Sequence, residues 1–364
     1  MLGIGRTTNT LKRMLIAVLL LLCFYSSSAR SYRINYLSVY NQALDSIASL
    51  AWANQPKTFK DAVLIVENTY YSDSLDVEAI NDAFSILASF ARGWASANHI
   101  VDYSTEDSTQ MTLNRAVFQV IKDTINISRD NEIISFLPFE YNFDDYNGKQ
   151  DWSNTFVSTL LSTHKGNCHS LPYLYKIIAD EVGAKCWLAL APNHLYIKNY
   201  SKRDGWFNTE LTSGEFPIDA WLTTTGYINL ASIQNGLYCD TLSNQQSIAL
   251  CALDLAKCYE KETHNYYDGF ILQCCDLVLK YHPVNVQALL LKAETTKRIY
   301  QKQKQENNPE AQNTYIQMEQ QYIHLYDLGY REMPEKMYKE WLLSIKTQRD
   351  KYGNNKILPT SKNK

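Results

Sequence analysis

A cysteine, a histidine and a carboxylate fall along this chain in an order that thiol chemistry can use: Cys168, His194 and Glu210. The thiolate is the reactive form of cysteine, and a helix N-terminus with an imidazole in reach populates it near neutral pH. Gly166-Asn167 leads Cys168 into a helix whose apolar positions are Cys168, Leu171, Leu174, Tyr175, Ile178 and Val182. Pro172 suits the first turn, where a missing amide proton leaves nothing unpaired, and Gly183 is placed to end the helix. Asn167 or Ser170 supplies the cap. Either choice sets Cys168 within a turn of the positive end of the helix dipole. His169 should point roughly a quarter turn away from Cys168 and is read as structural.

Two strands must bring the other members to the cysteine. Trp187–Ala191 is a continuous apolar run, as in a buried strand. Beyond Pro192, strand alternation puts His194, Tyr196 and Lys198 on one face, and a further strand over 206–212 puts Trp206, Asn208, Glu210 and Thr212 together. Asp204-Gly205 suggests a two-residue hairpin, but its odd register would turn Asn208 and Glu210 away from His194. A longer loop over 199–205 pairs Lys198 with Trp206 and His194 with Glu210. That register predicts Glu210 as the group orienting His194, with Asn208 as the alternative third member if the register slips by one pair.

The run GNCHSLPYLYKIIADEVGAKCWLALAPNHLYIK, followed by GWFNTELTSG, resembles the core of the transglutaminase-like superfamily, a papain-like thiol-enzyme fold. The resemblance covers about residues 112–218. It implies a helix packed on an antiparallel sheet, with Cys168 as nucleophile and His194 as its base. Many members carry Asp four residues after a tryptophan on the next strand; here Trp206 is followed by Glu210. The superfamily also holds members without activity.

The expected class is α+β. Residues 30–110 read as helical, with Leu37, Tyr40, Leu44, Ile47 and Ala51 marking one face; 102–109 reads as a polar loop, and a helix follows over 112–125. The segment 134–148 alternates aromatic rings with carboxylates and reads as an ordered loop rather than a calcium site. A short helix over 154–161 leads to the cysteine, with Trp152 and Asn154 as expected cleft lining. The thiol domain spans 111–242. From 243 to 353 the chain is helical again, and Ala249, Ala252, Leu255, Ala256 and Tyr259 with Lys280-Tyr281-His282-Pro283 resemble a tetratricopeptide repeat. Residues 335–352 should cap that stack, and 354–364 should be a disordered tail.

Arg6, Lys12 and Arg13 ahead of the apolar stretch 14–25 and the Ser27-Ser28-Ala29 site read as a cleavable export signal over 1–29. Leu22 is bulky for a lipid-attachment signal at Cys23. Cleavage takes the formal charge from −3 to −6, which excludes a basic nucleic-acid-binding surface. The mature chain, expected in a periplasm or outside the cell, has no transmembrane segment. Seven cysteines remain, an odd number that leaves a thiol unpaired. The spacing of His164, Cys168 and His169 makes a poor metal cage. No metal and no cofactor is implied.

Two functions fit. One is an exported cysteine-dependent amide-bond enzyme acting on a peptide or protein substrate through an acyl-thioester on Cys168, as peptidase, amidase or transamidase. The other is an inactive thiol-enzyme domain joined to helical repeats that bind a protein partner, a reading favoured by the 26 tyrosines.

Overall fold

The periodicity at the front of the chain resolves into three helices, α1 (Tyr36–Ala53), α2 (Thr58–Tyr70) and α3 (Val77–Ala97). The computed structural model describes residues 36–56, 58–100, 103–129, 132–224, 227–354, 357 and 361–363. The export signal expected over 1–29 lies outside them.

α4 (Thr105–Lys122) begins earlier than its apolar pattern suggests, so most of the expected polar loop over 102–109 is helix. Its polar residues are committed to tertiary bonds: Ser108 Oγ donates to the Ile100 carbonyl at 2.7 Å, and the buried Asp107 carboxylate accepts the amides of Lys202 and Arg203 at 3.0 and 3.2 Å. After α4, β2 (Ile125–Arg129) and β3 (Glu132–Phe136) form an antiparallel hairpin. β4 (Glu140–Tyr141) then pairs in parallel with β5 (Lys165–Gly166). Between them Asp145 closes the aromatic loop on itself, accepting the amides of Gln150 and Asp151 and the side chain of Asn154. A 3-10 turn (Trp152–Thr155) and α5 (Val157–Thr163) stand where one helix over 154–161 was expected.

The centre is a helix on a sheet. α6 (Ser170–Val182) packs on β6 (Trp187–Ala191) and β7 (His194–Ser201), and β8 (Gly205–Thr209) completes an antiparallel sheet in the order β6-β7-β8. Leu171, Leu174 and Ile178 are fully buried, as the helical spacing requires. Residues 239–242 run along the outer edge of β6, where the Cys239 and Leu242 amides donate to Leu190 and Leu188, so that edge is covered.

β7 and β8 pair Lys198 with Asn208 and Tyr200 with Trp206, one pair away from the expected Lys198–Trp206 register. The turn is shorter than predicted because Asp107 holds the Lys202 and Arg203 amides, and Gly205 takes a φ of +72°. The even register survives, so face assignments are unchanged.

The connector after β8 carries two short helices, α7 (Asp219–Thr223) and α8 (Leu230–Gln234). Four longer ones follow, each packed on the next: α9 (Asn244–Thr263), α10 (Phe270–Tyr281), α11 (Val286–Gln305) and α12 (Ala311–Asp327). α9 also packs on α1 and α2, where Tyr40 meets Tyr259 and Phe270 edge to face. One apolar core therefore crosses both expected boundaries, 110/111 and 242/243. α13 (Glu335–Thr347) departs from expectation. Instead of capping the helical stack it lies over the Cys168 end of α6, held there by Trp341 against Trp221 with ring centroids 4.3 Å apart.

The tail expected to be disordered from 354 is tied down within the described residues. The Asn354 amide donates to the Phe216 carbonyl, Ile357 is buried, and Ser361–Asn363 pairs antiparallel with β1 (Asn98–Ile100). Among the described residues no helix is long and apolar enough to cross a membrane.

Candidate active site

Gly166 starts the turn that delivers Cys168. A Cβ there would lie 2.5 Å from Ser170 Oγ and 2.8 Å from Leu160 Cδ1, too close for any residue but glycine without rearrangement. Asn167 is the cap in effect: its side-chain oxygen accepts the His169 and Ser170 amides at 2.9 and 3.1 Å, while its own amide donates to Ser170 Oγ. Gly183 closes the helix with φ +80°, as predicted. Cys168 thus sits half-buried at the mouth of α6, two residues ahead of its first residue, Ser170.

Pro192 and Asn193 form the tight turn between β6 and β7, with Asn193 at φ +54°. This turn puts the Asn193 carbonyl 3.8 Å from Cys168 Sγ and starts β7 with His194 beside the thiol. His194 is 1% exposed, walled by Tyr196, Trp221, Tyr338 and Trp341. Its Nε2 lies 2.6 Å from Glu210 Oε2. Strict pairing would carry the strand past that position, but β8 ends at Thr209 and the chain folds back through a Glu210–Glu215 bridge. Leaving the sheet there lets the carboxylate reach the imidazole. Its second oxygen accepts the Thr212 amide at 2.7 Å. The predicted Glu210 contact is therefore formed. Asn208, the alternative, donates to the Pro217 carbonyl and Asp219 instead.

The predicted lining residues are engaged elsewhere. Asn154 donates to Asp145, and the Trp152 ring lies under Lys261 at 5.5 Å. A residue that the sequence did not suggest holds the place over the thiol. Tyr338 of α13 donates its hydroxyl proton to Cys168 Sγ at 3.2 Å, and the same oxygen lies 3.2 Å from His194 Nδ1. The Tyr146 ring stacks on Tyr338, and the buried Tyr141 hydroxyl faces Tyr338 and Cys168. No local signal marks Tyr338, since a tyrosine on an amphipathic helix ordinarily reads as packing.

Charge follows this geometry. Burial works against ionising Cys168, yet the hydrogen bond and positive charge of His194 outweigh it, with help from the Tyr338 hydroxyl, and hold the thiol below its ordinary value. Burial likewise opposes charge on His194, but the Glu210 carboxylate overrides it and pushes the imidazole up to about 10. Against its own burial, Glu210 is held below the usual carboxylate range by the imidazolium. Thiol, phenol, imidazole and carboxylate therefore stand in sequence, with Tyr338 donating to Sγ and His194 Nε2 donating to Glu210. The other six described cysteines behave oppositely. Burial pushes Cys186 and Cys275 up to about 12, Cys239 up to about 11, and Cys251, Cys258 and Cys274 well above the thiol value. All seven described cysteines are unpaired. An odd count promised one free thiol; the electrostatics single out Cys168.

No protein-family model matches this chain, and no curated protein matches it. Among solved structures, a crystal structure of menin that reveals the binding site for Mixed Lineage Leukemia (MLL) protein is similar at 14% sequence identity. The similarity covers 85% of this chain and 74% of that one with a TM-score of 0.33, too low to bear on fold or function.

Proposed function

We propose that this chain is an exported cysteine-dependent amide-bond enzyme with a papain-like, transglutaminase-like core. The observation that carries the reading is the buried His194–Glu210 pair facing a thiol held below its ordinary pKa at a helix start. In this reading Cys168 Sγ attacks an amide carbonyl and the C–N bond breaks as the His194 imidazolium protonates the leaving amine. Glu210 keeps the ring oriented and stabilises its charge. The acyl-thioester then passes to water or to an amine, with His194 as base. Because the Tyr338 phenol lies against Sγ, the substrate carbonyl must displace it to come within bonding distance.

That same phenol favours a second reading, a retired thiol site sealed by α13 in a protein that binds partners through its helical region. Incubation of the mature chain with a peptide library and a fluorescent primary amine separates the two. New peptide termini or amine adducts should form with the wild type and vanish in Cys168→Ala. Turnover that survives in the variant, or none in either protein, would overturn the enzyme reading.

A further inference from the structure

Cys168 is flanked by a second histidine–carboxylate pair that the first site does not use. His169 Nδ1 lies 3.0 Å from the Thr155 carbonyl oxygen, and Nε2 lies 2.9 Å from Asp254 Oδ1. A carbonyl and a carboxylate can only accept. Both ring nitrogens must therefore donate, and a histidine that donates twice is an imidazolium. Asp254 belongs to α9, in the helical region, and its other oxygen accepts the Tyr173 hydroxyl at 2.8 Å. The side on which Thr155 stands is fixed as well: Glu67 of α2 accepts the amides of Val157 and Ser158 at 2.7 and 2.9 Å. The ring of His169 is thus held from both ends, one residue from the thiol.

We propose that His169 and Asp254 are positioning residues for Cys168, a fixed imidazolium–carboxylate pair that locks the turn after the nucleophile and keeps a cation beside its thiolate. The inference rests on Cys168 being the reacting thiol. Because both nitrogens of His169 are spent, it exchanges no proton with Cys168; its contribution is charge and placement. Through Asp254 the helical region completes the thiol site from behind, while α13 covers it in front. The groups facing Cys168 are His194 with Glu210 beyond it, Tyr338, Tyr141, Tyr146 and His169. Those facing His169 are Asp254, Tyr173 and Glu67. Of the two carboxylates near His169, Glu67 is committed to backbone amides and Asp254 is the one that bonds the ring.

The test is the pH profile of iodoacetamide labelling at Cys168 in wild type, Asp254→Asn and Asp254→Glu. Asparagine should move the acid limb upward by about half a pH unit, roughly a threefold loss of rate on that limb, and leave the alkaline plateau unchanged; glutamate should restore it. Buried Cys274 and Cys275, staying unlabelled, certify the fold. If Asp254→Asn exposes them, His169→Gln takes its place with the same expected shift. A profile identical to wild type, or equal slowing at every pH, would overturn the proposal. A wild type without an acid limb would overturn the enzyme reading instead, so the two failures are distinct.

Discussion

Replacing Glu210 by alanine should destabilise the fold by about 3–5 kcal/mol, because it removes one partner of a buried ion pair and leaves His194 Nε2 without an acceptor. Both groups are almost fully buried, His194 at 1% and Glu210 at 2% exposure, so solvent cannot substitute for the lost carboxylate. Glu210→Gln should lose less, since an amide oxygen can still accept from Nε2, but His194 should then be neutral near pH 7. The pH dependence of the native protein follows from the same pair. His194 is raised, so its contribution is complete below its free value of about 6.5 and is lost as pH rises through about 10. Glu210 is lowered, so its contribution is present above its free value and is lost as pH falls through the depressed one. Denaturant titrations across pH check both limbs; a Glu210→Ala protein as stable as wild type would remove the ion pair from the account.

Truncating Tyr338 should do the opposite to reactivity. The phenol is held over Sγ by a hydrogen bond, typically about 1.5–3 kcal/mol where the acceptor is charged. Tyr338→Ala should raise the plateau rate of Cys168 alkylation on the order of tenfold, since neither ring nor bond then bars the approach to Sγ. Tyr338→Phe keeps the ring and removes the donor. It should shift the acid limb upward without matching that plateau gain. Measured together, the two variants separate the phenol's cover from its support of the thiolate. If neither alters the profile, Tyr338 does not lie against Sγ in solution.

Local pattern made the elements of the candidate site legible. Gly166-Asn167, the apolar spacing through Val182 and Gly183 define α6 within one stretch, and alternation from His194 onward sets a face that the sheet preserves. Long-range partners were not legible. The expected register missed by a pair because a buried aspartate on another helix grips the turn. Asp107 itself belongs to a polar run, and a polar run carries a loop's pattern. Tyr338 and Cys168 are 170 residues apart, His169 and Asp254 are 85 apart, and neither pairing leaves a trace in periodicity. α13 looked like the cap of a helical stack since amphipathic spacing tells which face is apolar but not what it covers.

The central claim is that Cys168 is a thiolate because His194 makes it one. Its most direct measurement is the pH dependence of iodoacetamide labelling at Cys168, read by peptide mass spectrometry in the wild-type protein and in His194→Ala. The account predicts rapid labelling well below the free-thiol value of about 8.5, with that acid limb lost in the variant. Slow labelling at neutral pH, or profiles that coincide in the two proteins, would contradict it.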